Sequence, residues 1–459
     1  MTDDILDGVN EINDVKPKEI PAPLITPKWI IGDNKIDEPL FCEEFLKIHK
    51  LLCINGNFLG FNGVVDDSVV RACIYDMIKP FVNIGISRKI NQLLTALKFE
   101  AYSAELIPDG NMIHLLNGTY YLNGAFTTEK KICHSRLQVA YNPDAPNPTL
   151  FRDFLNDLLY PDDILTLQEW IGYCMTTSTK AQKMLTIIGP GGEGKSCIGK
   201  LLKDIFEDGM ASGELHHLEK NQFSHANLEN RYLFLDDDLK IESLGQTNKL
   251  KQIITNEGKM MVERKCIQAY TTQIYAKIMA FGNGTLSALN DKTDAFYRRQ
   301  IIITTKPKPA DRIDDPFIAN KMLSEKEGIL LWAIEGLKRL INNDYCFSIS
   351  ARAQDNLRKS REDNCNIILF LQADDWVMYD TDASISTRDL YGHYEYWCTV
   401  NCDTPLAPRI FSTYLNQNLV KFGIQQDTHV ISSTGIRARG YRGITKKHNI
   451  ASTNQAQNK

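Results

Sequence analysis

The stretch I-G-P-G-G-E-G-K-S at residues 188–196 decides how the middle of this 459-residue sequence is interpreted. It follows an apolar, partly β-branched run at residues 184–188 and precedes helical spacing at residues 197–202. Residues 189–196 match G-x-x-x-x-G-K-[ST] in full, between a predicted strand and a predicted helix. Glycines free the backbone N–H groups to converge on phosphate oxygens, and the helix N-terminus adds its dipole. The stretch therefore predicts a P-loop.

A P-loop predicts ATP and Mg²⁺ as cofactors. Lys195 is expected to reach the β- and γ-phosphates, and the Ser196 hydroxyl to hold Mg²⁺. The residues expected to contact the nucleotide are Gly189, Gly191, Gly192, Glu193, Gly194, Lys195 and Ser196. The alternative is a chance glycine turn, which the flanking strand and helix patterns disfavour.

An acidic strand end is expected to complete the metal site. The apolar run at residues 232–235 leads into Asp236, Asp237 and Asp238. Strand ends of a doubly wound sheet are where ligands bind. We expect Asp236 to bind the metal and Asp237 to act as the base, although three consecutive acids leave that assignment open by one residue. The alternative is a solvated turn.

Two further polar features follow along the chain. The apolar run at residues 276–282 ends at Asn283, which could position a water or touch the γ-phosphate, or could be an ordinary turn residue. Arg298 and Arg299 precede a third apolar run at residues 301–303. They could reach a nucleotide bound by an adjacent subunit, a contribution on the order of 10³–10⁵ in rate. Surface salt bridges are the alternative for the two arginines.

A basic hairpin is predicted between the acids and Asn283. Two extended runs, residues 259–265 and 270–274, flank a tip that carries Arg264 and Lys265. These side chains could grip the phosphates of a single DNA strand. A charged tip that is merely solvated is the alternative.

The order of these five elements resembles that of superfamily-3 helicases, particularly the phage, plasmid and poxvirus primase-helicase branch. The resemblance is most specific at residues 165–196 and 291–299, and it extends over roughly residues 35–447. It implies an AAA+-like core, a hexameric ring, ATP hydrolysis between subunits and 3′-to-5′ movement on single-stranded DNA. It also implies Arg298, and next Arg299, as the arginine contributed by a neighbouring subunit, and Lys265 as the first DNA contact of the hairpin.

The sequence also departs from that family. Relatives often carry Asp-Glu at the acidic strand, where this chain has only Asp. Relatives often have a primase domain in front, whereas only about 40 residues precede the similar segment here and no D-x-D pair stands out. Primer synthesis is therefore not expected.

The C-terminal region predicts a winged helix. Residues 408–422 have helical spacing, and a basic ribbon follows at residues 434–444. Arg437, Arg439 and Arg442 could touch the DNA backbone while the helix enters a groove. The alternative is a small protein-contact module.

The predicted fold class is α/β. A P-loop AAA+-like parallel sheet core is combined with a mixed, mainly helical N-terminal domain and a C-terminal winged-helix domain. A hairpin is predicted at residues 112–122 around Asn117-Gly118. The predicted domain bounds are 1–30 (disordered acidic tail), 31–150 (N-terminal mixed domain), 151–360 (ATPase), 361–449 (winged helix) and 450–459 (disordered tail).

Composition excludes several classes of protein. A net charge of −5 argues against a generally basic nucleic-acid coat. Eleven cysteines without a C-x-x-C pair argue against a disulfide scaffold and a zinc ribbon, and favour the cytoplasm. The family resemblance implies the cytoplasm of a bacterial host. Without an 18-residue apolar run, no membrane span is expected.

Together these patterns predict an ATP-dependent DNA helicase or replication initiator of a phage, plasmid or other mobile element. The expected partners are single-stranded and forked DNA, a replication origin, and further copies of the chain in a hexamer. The alternative is an origin-binding initiator or loading scaffold that uses ATP as an assembly switch and unwinds little.

Overall fold

A computed structural model describes residues 26–32, 34–239, 247–256, 258–265, 267–284, 294–309, 311–312, 314–363, 366–401 and 403–447. The chain divides into an N-terminal unit, residues 1–107, and a C-terminal unit, residues 108–459. This division differs from the predicted bound at residue 150. Residues 1–25 of the predicted N-terminal tail, and the whole predicted tail at 450–459, lie outside the described residues.

The N-terminal unit mixes short strands with amphipathic helices. Its elements are β1 Ile30–Gly32, β2 Lys35–Ile36, α1 Glu38–His49, β3 Leu52–Ile54, β4 Asn57–Gly60, β5 Gly63–Val65, α2 Asp67–Ile78 and α3 Ile86–Glu100. Asp37 and Asp66 begin α1 and α2 by accepting hydrogen bonds from backbone N–H groups, those of Leu40 at 3.1 Å and Ser68 at 2.7 Å. The three helices bury their apolar faces around Phe41 and neighbouring aromatic rings.

The C-terminal unit begins with the predicted hairpin and two helices. These elements are β6 Met112–Leu115, β7 Gly118–Tyr121, β8 Phe126–Thr127, α4 Thr149–Leu158 and α5 Pro161–Cys174. Antiparallel pairing of β6 with β7 confirms the hairpin. Ile113, Leu115 and Tyr120 pack into the same core as α4 and α5. This shared core explains why the hairpin belongs with the C-terminal unit rather than with the residues before it.

A parallel sheet forms the centre of this unit. The elements of this region are β9 Met184–Ile188, α6 Lys195–Phe206, β10 Met210–Ser212, α7 Leu215–Lys220, β11 Leu233–Leu239, α8 Asn248–Thr255, β12 Lys259–Arg264, β13 Ile267–Gln273, β14 Lys277–Gly282, α9 Asp294–Tyr297 and β15 Gln300–Thr304. Among the residues that the structure describes, five strands pair in the order β10-β11-β14-β9-β15, all parallel. The strands read as nearly continuous buried runs because both faces of the sheet are covered.

Three helices follow the sheet: α10 Ile318–Leu323, α11 Lys326–Asn342 and α12 Ala351–Asp363. Helix α11 packs closely on α5 because glycines face the contact from both sides. A Cβ on Gly172 would lie 2.3 Å from the Ala333 carbonyl oxygen, and one on Gly336 would lie 2.5 Å from the Gln168 backbone. Buried Glu169 also joins the two helices by accepting a hydrogen bond from Arg339 Nε at 2.6 Å.

The last elements have a hydrophobic core of their own. They are α13 Asn366–Gln372, β16 Val377–Met378, β17 Ser384–Ser386, α14 Thr387–Val400, α15 Pro408–Gln417, α16 Leu419–Phe422, β18 Gln425–Ile431, β19 Arg437–Arg442 and β20 Thr445–Lys446. Strands β17, β19 and β18 form an antiparallel sheet in that order. The helix predicted at residues 408–422 is interrupted at Asn418, which separates α15 from α16. In the described part of the chain, no helix combines the length and apolarity needed to cross a membrane.

Candidate functional site

A cavity of about 530 Å³ opens where the glycine-rich loop meets the strand ends. The loop connects β9 to α6, and β14 lies beside β9 with Gly282 opposite Ile188. The carboxyl ends of parallel strands therefore meet at this edge, where open α/β sheets bind ligands. Its lining residues are Leu150, Asp153, Phe154, Asp157, Gly191, Gly192, Glu193, Gly194, Lys195, Ser196, Cys197, Asp237, Asp238, Phe281, Gly282, Asn283, Arg312, Asp314, Asp315 and Ile318.

The loop needs its glycines for two different reasons. Gly191, Gly192 and Gly194 have φ values of 113°, 81° and 121°, which side chains rarely allow. Gly189 is instead required by space, since a Cβ there would lie 2.1 Å from the Thr305 hydroxyl oxygen. Gly189 does not line the cavity. Its N–H donates to the Gly282 carbonyl at 3.1 Å, which ties the start of the loop to the end of β14.

Lys195 and Glu193 form a buried ion pair inside the loop. The Lys195 ammonium donates to Glu193 Oε2 at 2.9 Å and to the Gly189 carbonyl at 3.0 Å. The other oxygen, Glu193 Oε1, accepts from the Gly191 N–H at 2.7 Å. Burial raises the pKa of the Glu193 carboxyl, but these hydrogen bonds outweigh it, so the pKa lies below its usual value. Glu193 is therefore held ionised against the lysine.

The structure changes which of the three aspartates faces the cavity. Asp236 was expected to bind the metal, but it is buried beside α7, where its Oδ2 accepts from the Leu215 N–H at 2.7 Å. Burial raises the pKa of Asp236. Neighbouring side chains of a strand point to opposite faces, so Asp237 faces the cavity. Asp238 also lines it, because the pairing of β11 with β14 shifts register after Asp236.

Asn283 lines the cavity as predicted from its place after β14. Sequence reasoning missed Arg312, which lies in the loop after β15 and contributes a second cation. Its Nη1 donates to the Glu193 carbonyl at 2.8 Å, and its Nε lies 3.2 Å from Asp314 Oδ1. The signal was available, because a loop that leaves a parallel strand at its carboxyl end lies at the same edge as the glycine-rich loop.

An apolar wall on one side of the cavity was also missed. Leu150 and Phe154 of α4, with Ile318 of α10, line that side, and a Cβ on Gly194 would lie 3.1 Å from the Phe154 ring. Exposed carboxylates of Asp153 and Asp157 flank this wall. An aromatic ring and aliphatic side chains beside a glycine-rich loop with a lysine suit a flat, partly apolar ligand with an anionic tail.

The arginine pair lies at the opposite edge of the sheet. Arg298 and Arg299 precede β15, whose first residue, Gln300, pairs with Met184 at the start of β9. Five residues of strand separate this edge from the loop, roughly 17 Å at 3.3 Å per residue. Arg298 is exposed, whereas half-buried Arg299 donates to the Ala295 carbonyl. Neither arginine reaches the cavity of its own chain.

The basic hairpin forms as expected, with β12 paired to β13 in a sheet of its own. Lys265 is exposed at its tip. Arg264 is already engaged, since its Nη2 donates to Glu229 Oε2 at 2.7 Å, and the Tyr270 hydroxyl donates to the same oxygen at 2.5 Å. Burial, with the bond to Glu229, raises the pKa of Tyr270 to about 12. The tip therefore presents Lys265 more freely than Arg264.

The three arginines of the C-terminal region all lie on β19 and are exposed. Arg442 donates to Asp427 Oδ2 at 3.0 Å, so part of its charge is compensated. The element order α13, β17, α14, α15, β18 and β19 puts Arg437 and Arg439 on the second strand of a ribbon that follows a helix. They form a basic strip on that ribbon.

The comparisons with known proteins agree with this architecture. Residues 187–299 match the model of a family of unknown function, DUF5906, which spans the loop, the acidic strand, the hairpin and the arginines. The apo structure of the NrS-1 C terminal region (305–718) is similar over 90% of this chain and 100% of that chain, at 14% identity and a TM-score of 0.55. The A form apo structure of that region is similar over 87% and 97%, at 14% identity and a TM-score of 0.53. No curated protein matches this sequence. The chain thus shares its fold, across nearly its whole length, with the C-terminal region of NrS-1.

Proposed function

We propose that this chain is an ATP-hydrolysing motor of DNA replication, a superfamily-3-like helicase that acts as a ring on single-stranded DNA. The observation that carries the proposal is the convergence of Lys195, Ser196, Asp237 and Asn283 at one sheet edge. A glycine-rich loop, a cation, a hydroxyl and carboxylates at the carboxyl ends of parallel strands suit a Mg²⁺-bound triphosphate. The glycine-rich loop with its following helix is thereby proposed to be a P-loop.

The residues take the following roles in this proposal. Ser196 and Asp237 would hold Mg²⁺, which neutralises charge on the phosphates. Asp238 lies one residue further along β11, at the cavity, and is our candidate for accepting the proton of the attacking water. Asn283 would position that water, and Lys195 would bind the phosphates. The apolar wall of α4 and α10 would hold the nucleobase.

Arg298 is proposed to act on a neighbouring subunit. It is exposed, and it lies at the sheet edge away from its own loop. An arginine so placed can stabilise the developing charge only at a nucleotide bound by another copy. The proposed assembly is therefore a ring, hexameric by the family resemblance, with nucleotides at its interfaces.

The DNA contacts are proposed to come from two basic regions. Lys265 at the hairpin tip would hold the phosphates of one strand within the ring. The C-terminal sheet and helices are proposed to be a winged helix, and Arg437 and Arg439 on its ribbon would contact a DNA backbone. Both contacts are electrostatic, so DNA binding should weaken steeply with added salt.

A mixing experiment tests the motor. Lys195→Ala and Arg298→Ala should each abolish DNA-stimulated ATP hydrolysis. Mixed at equal amounts, the two variants should recover activity, because about a quarter of the interfaces in a random head-to-tail ring then combine an intact loop with an intact arginine. If the mixture hydrolyses no more ATP than each variant alone, Arg298 does not act across a subunit interface.

A forked-duplex unwinding assay separates the motor from the scaffold alternative. A motor displaces the annealed strand only while it hydrolyses ATP. A protein that binds ATP and assembles on DNA, yet displaces no strand, would instead be an origin-binding initiator or loading scaffold.

A further inference from the structure

The glycine-rich loop carries its own anion, the carboxylate of Glu193. The residue is only 1% exposed, and Lys195 is only 8% exposed. One carboxylate oxygen accepts from the Lys195 ammonium at 2.9 Å, and the other accepts from the Gly191 N–H at 2.7 Å. Because this carboxylate is buried and both of its oxygens accept hydrogen bonds from the loop, the contact is part of the folded loop and differs from a solvent-exposed ion pair.

Lys195 is the cation that the proposed function assigns to the phosphates, and Gly191 is among the loop residues expected to contact the nucleotide. A carboxylate and a phosphate share the features that matter here, since each presents paired anionic oxygens to N–H donors. While Glu193 holds Lys195, the lysine charge is neutralised within the chain. A phosphate that approaches the loop meets a like charge and a cation that is already bonded.

The Glu193 backbone is held from outside the glycine-rich loop. Arg312 donates to the Glu193 carbonyl at 2.8 Å, and the next residues begin α6. Withdrawal of the carboxylate from Lys195 therefore requires the Glu193 side chain to move while its backbone stays bonded to Arg312.

We infer that Glu193 is an intramolecular competitor of the nucleotide phosphates, whose carboxylate must leave Lys195 and Gly191 before a phosphate can bind them. The inference rests on the proposed function of the loop. Glu193 is thus an affinity-determining residue of the site, one that lowers the affinity for nucleotide.

The test compares Glu193→Gln with Asp204→Asn, each of which removes one negative charge. Asp204 is exposed on α6 and does not line the cavity, so it controls for net charge alone. The full chain is titrated with Mg²⁺ and a fluorescent, non-hydrolysable ATP analogue, and the Kd is read from anisotropy. Glu193→Gln should bind at least about tenfold more tightly than the wild type, because a neutral amide attracts the ammonium less strongly than a carboxylate does. Asp204→Asn should stay within about threefold.

Two outcomes overturn the inference while the proposed function stands. Glu193→Gln could bind no more tightly than Asp204→Asn, or it could bind more weakly than the wild type, which would make Glu193 a support of the loop. Glu193→Ala serves as a second variant, and thermal melting without nucleotide verifies that all proteins are folded. A folded wild type and folded variants that all fail to bind would overturn the proposed function, and this inference with it.

Discussion

Substitutions of the two adjacent aspartates of β11 should affect different properties, the stability at Asp236 and ATP hydrolysis at Asp237. Asp236→Ala removes the acceptor of the buried Leu215 N–H, which lies 2.7 Å from Asp236 Oδ2 at the start of α7. An unpaired buried N–H lowers the free energy of unfolding by about 1–3 kcal/mol. We therefore expect the melting temperature of Asp236→Ala to fall by a few degrees.

Asp237→Ala should have the opposite profile. Asp237 is exposed and lines the cavity, so the free energy of unfolding should change by less than about 0.5 kcal/mol. Loss of a proposed Mg²⁺ ligand should slow ATP hydrolysis at least about 100-fold, equivalent to about 2.7 kcal/mol in the barrier.

The assay measures melting by calorimetry and ATP turnover by phosphate release, on the same preparations of both variants. The isosteric variants Asp236→Asn and Asp237→Asn control for lost packing. A stable Asp236→Ala that hydrolyses no ATP, beside an unstable but active Asp237→Ala, would refute the assignment of Asp237 to the metal.

Three further predictions concern the hairpin and the helix pair. Lys265→Ala should lower the salt dependence of single-stranded DNA binding by about 0.7 in the slope of log K against log salt, and an unchanged slope would remove Lys265 from the interface. Gly172→Ala should lower the free energy of unfolding by about 1–2 kcal/mol in urea denaturation, since overpacking against Ala333 exceeds the gain in helix propensity. Arg339→Ala should lower it by about 1.5–3 kcal/mol, because buried Glu169 loses a charged partner at 2.6 Å, and restoration of stability by Arg339→Lys would support that cause.

Local patterns predicted the elements of the sheet well. Short apolar runs that end at polar residues identified β9, β11, β14 and β15, and the structure confirms that they belong to one parallel sheet. The sheet also predicted which strand-end residues line the cavity, because polar groups at the carboxyl ends of neighbouring parallel strands lie close together. Asp237 and Asn283 were named in this way, whereas Lys195 and Ser196 came from the glycine-rich motif.

What the sequence could not predict depends on contacts between distant residues. The face of β11 that points to the cavity is set by α7, whose Leu215 N–H donates to Asp236. Three consecutive aspartates in the sequence do not show which of them makes this contact. Gly118 was interpreted as a turn residue, but it lies within β7, where a Cβ would be 2.1 Å from the Thr127 carbonyl oxygen. Phe154 reaches the cavity from a helix that precedes the sheet, so no local pattern joins it to the loop.

The two ends of the parallel sheet carry different functional groups. The donor set of the loop lies at the carboxyl ends of the strands, and Arg298 lies at their amino ends. If copies meet by bringing these ends together, every contact joins a head to a tail, and such contacts cannot be satisfied by a two-fold dimer. They either close into a cycle or extend into a filament, and the angle between successive copies decides which. A finite assembly therefore requires an angle between subunits that closes the cycle.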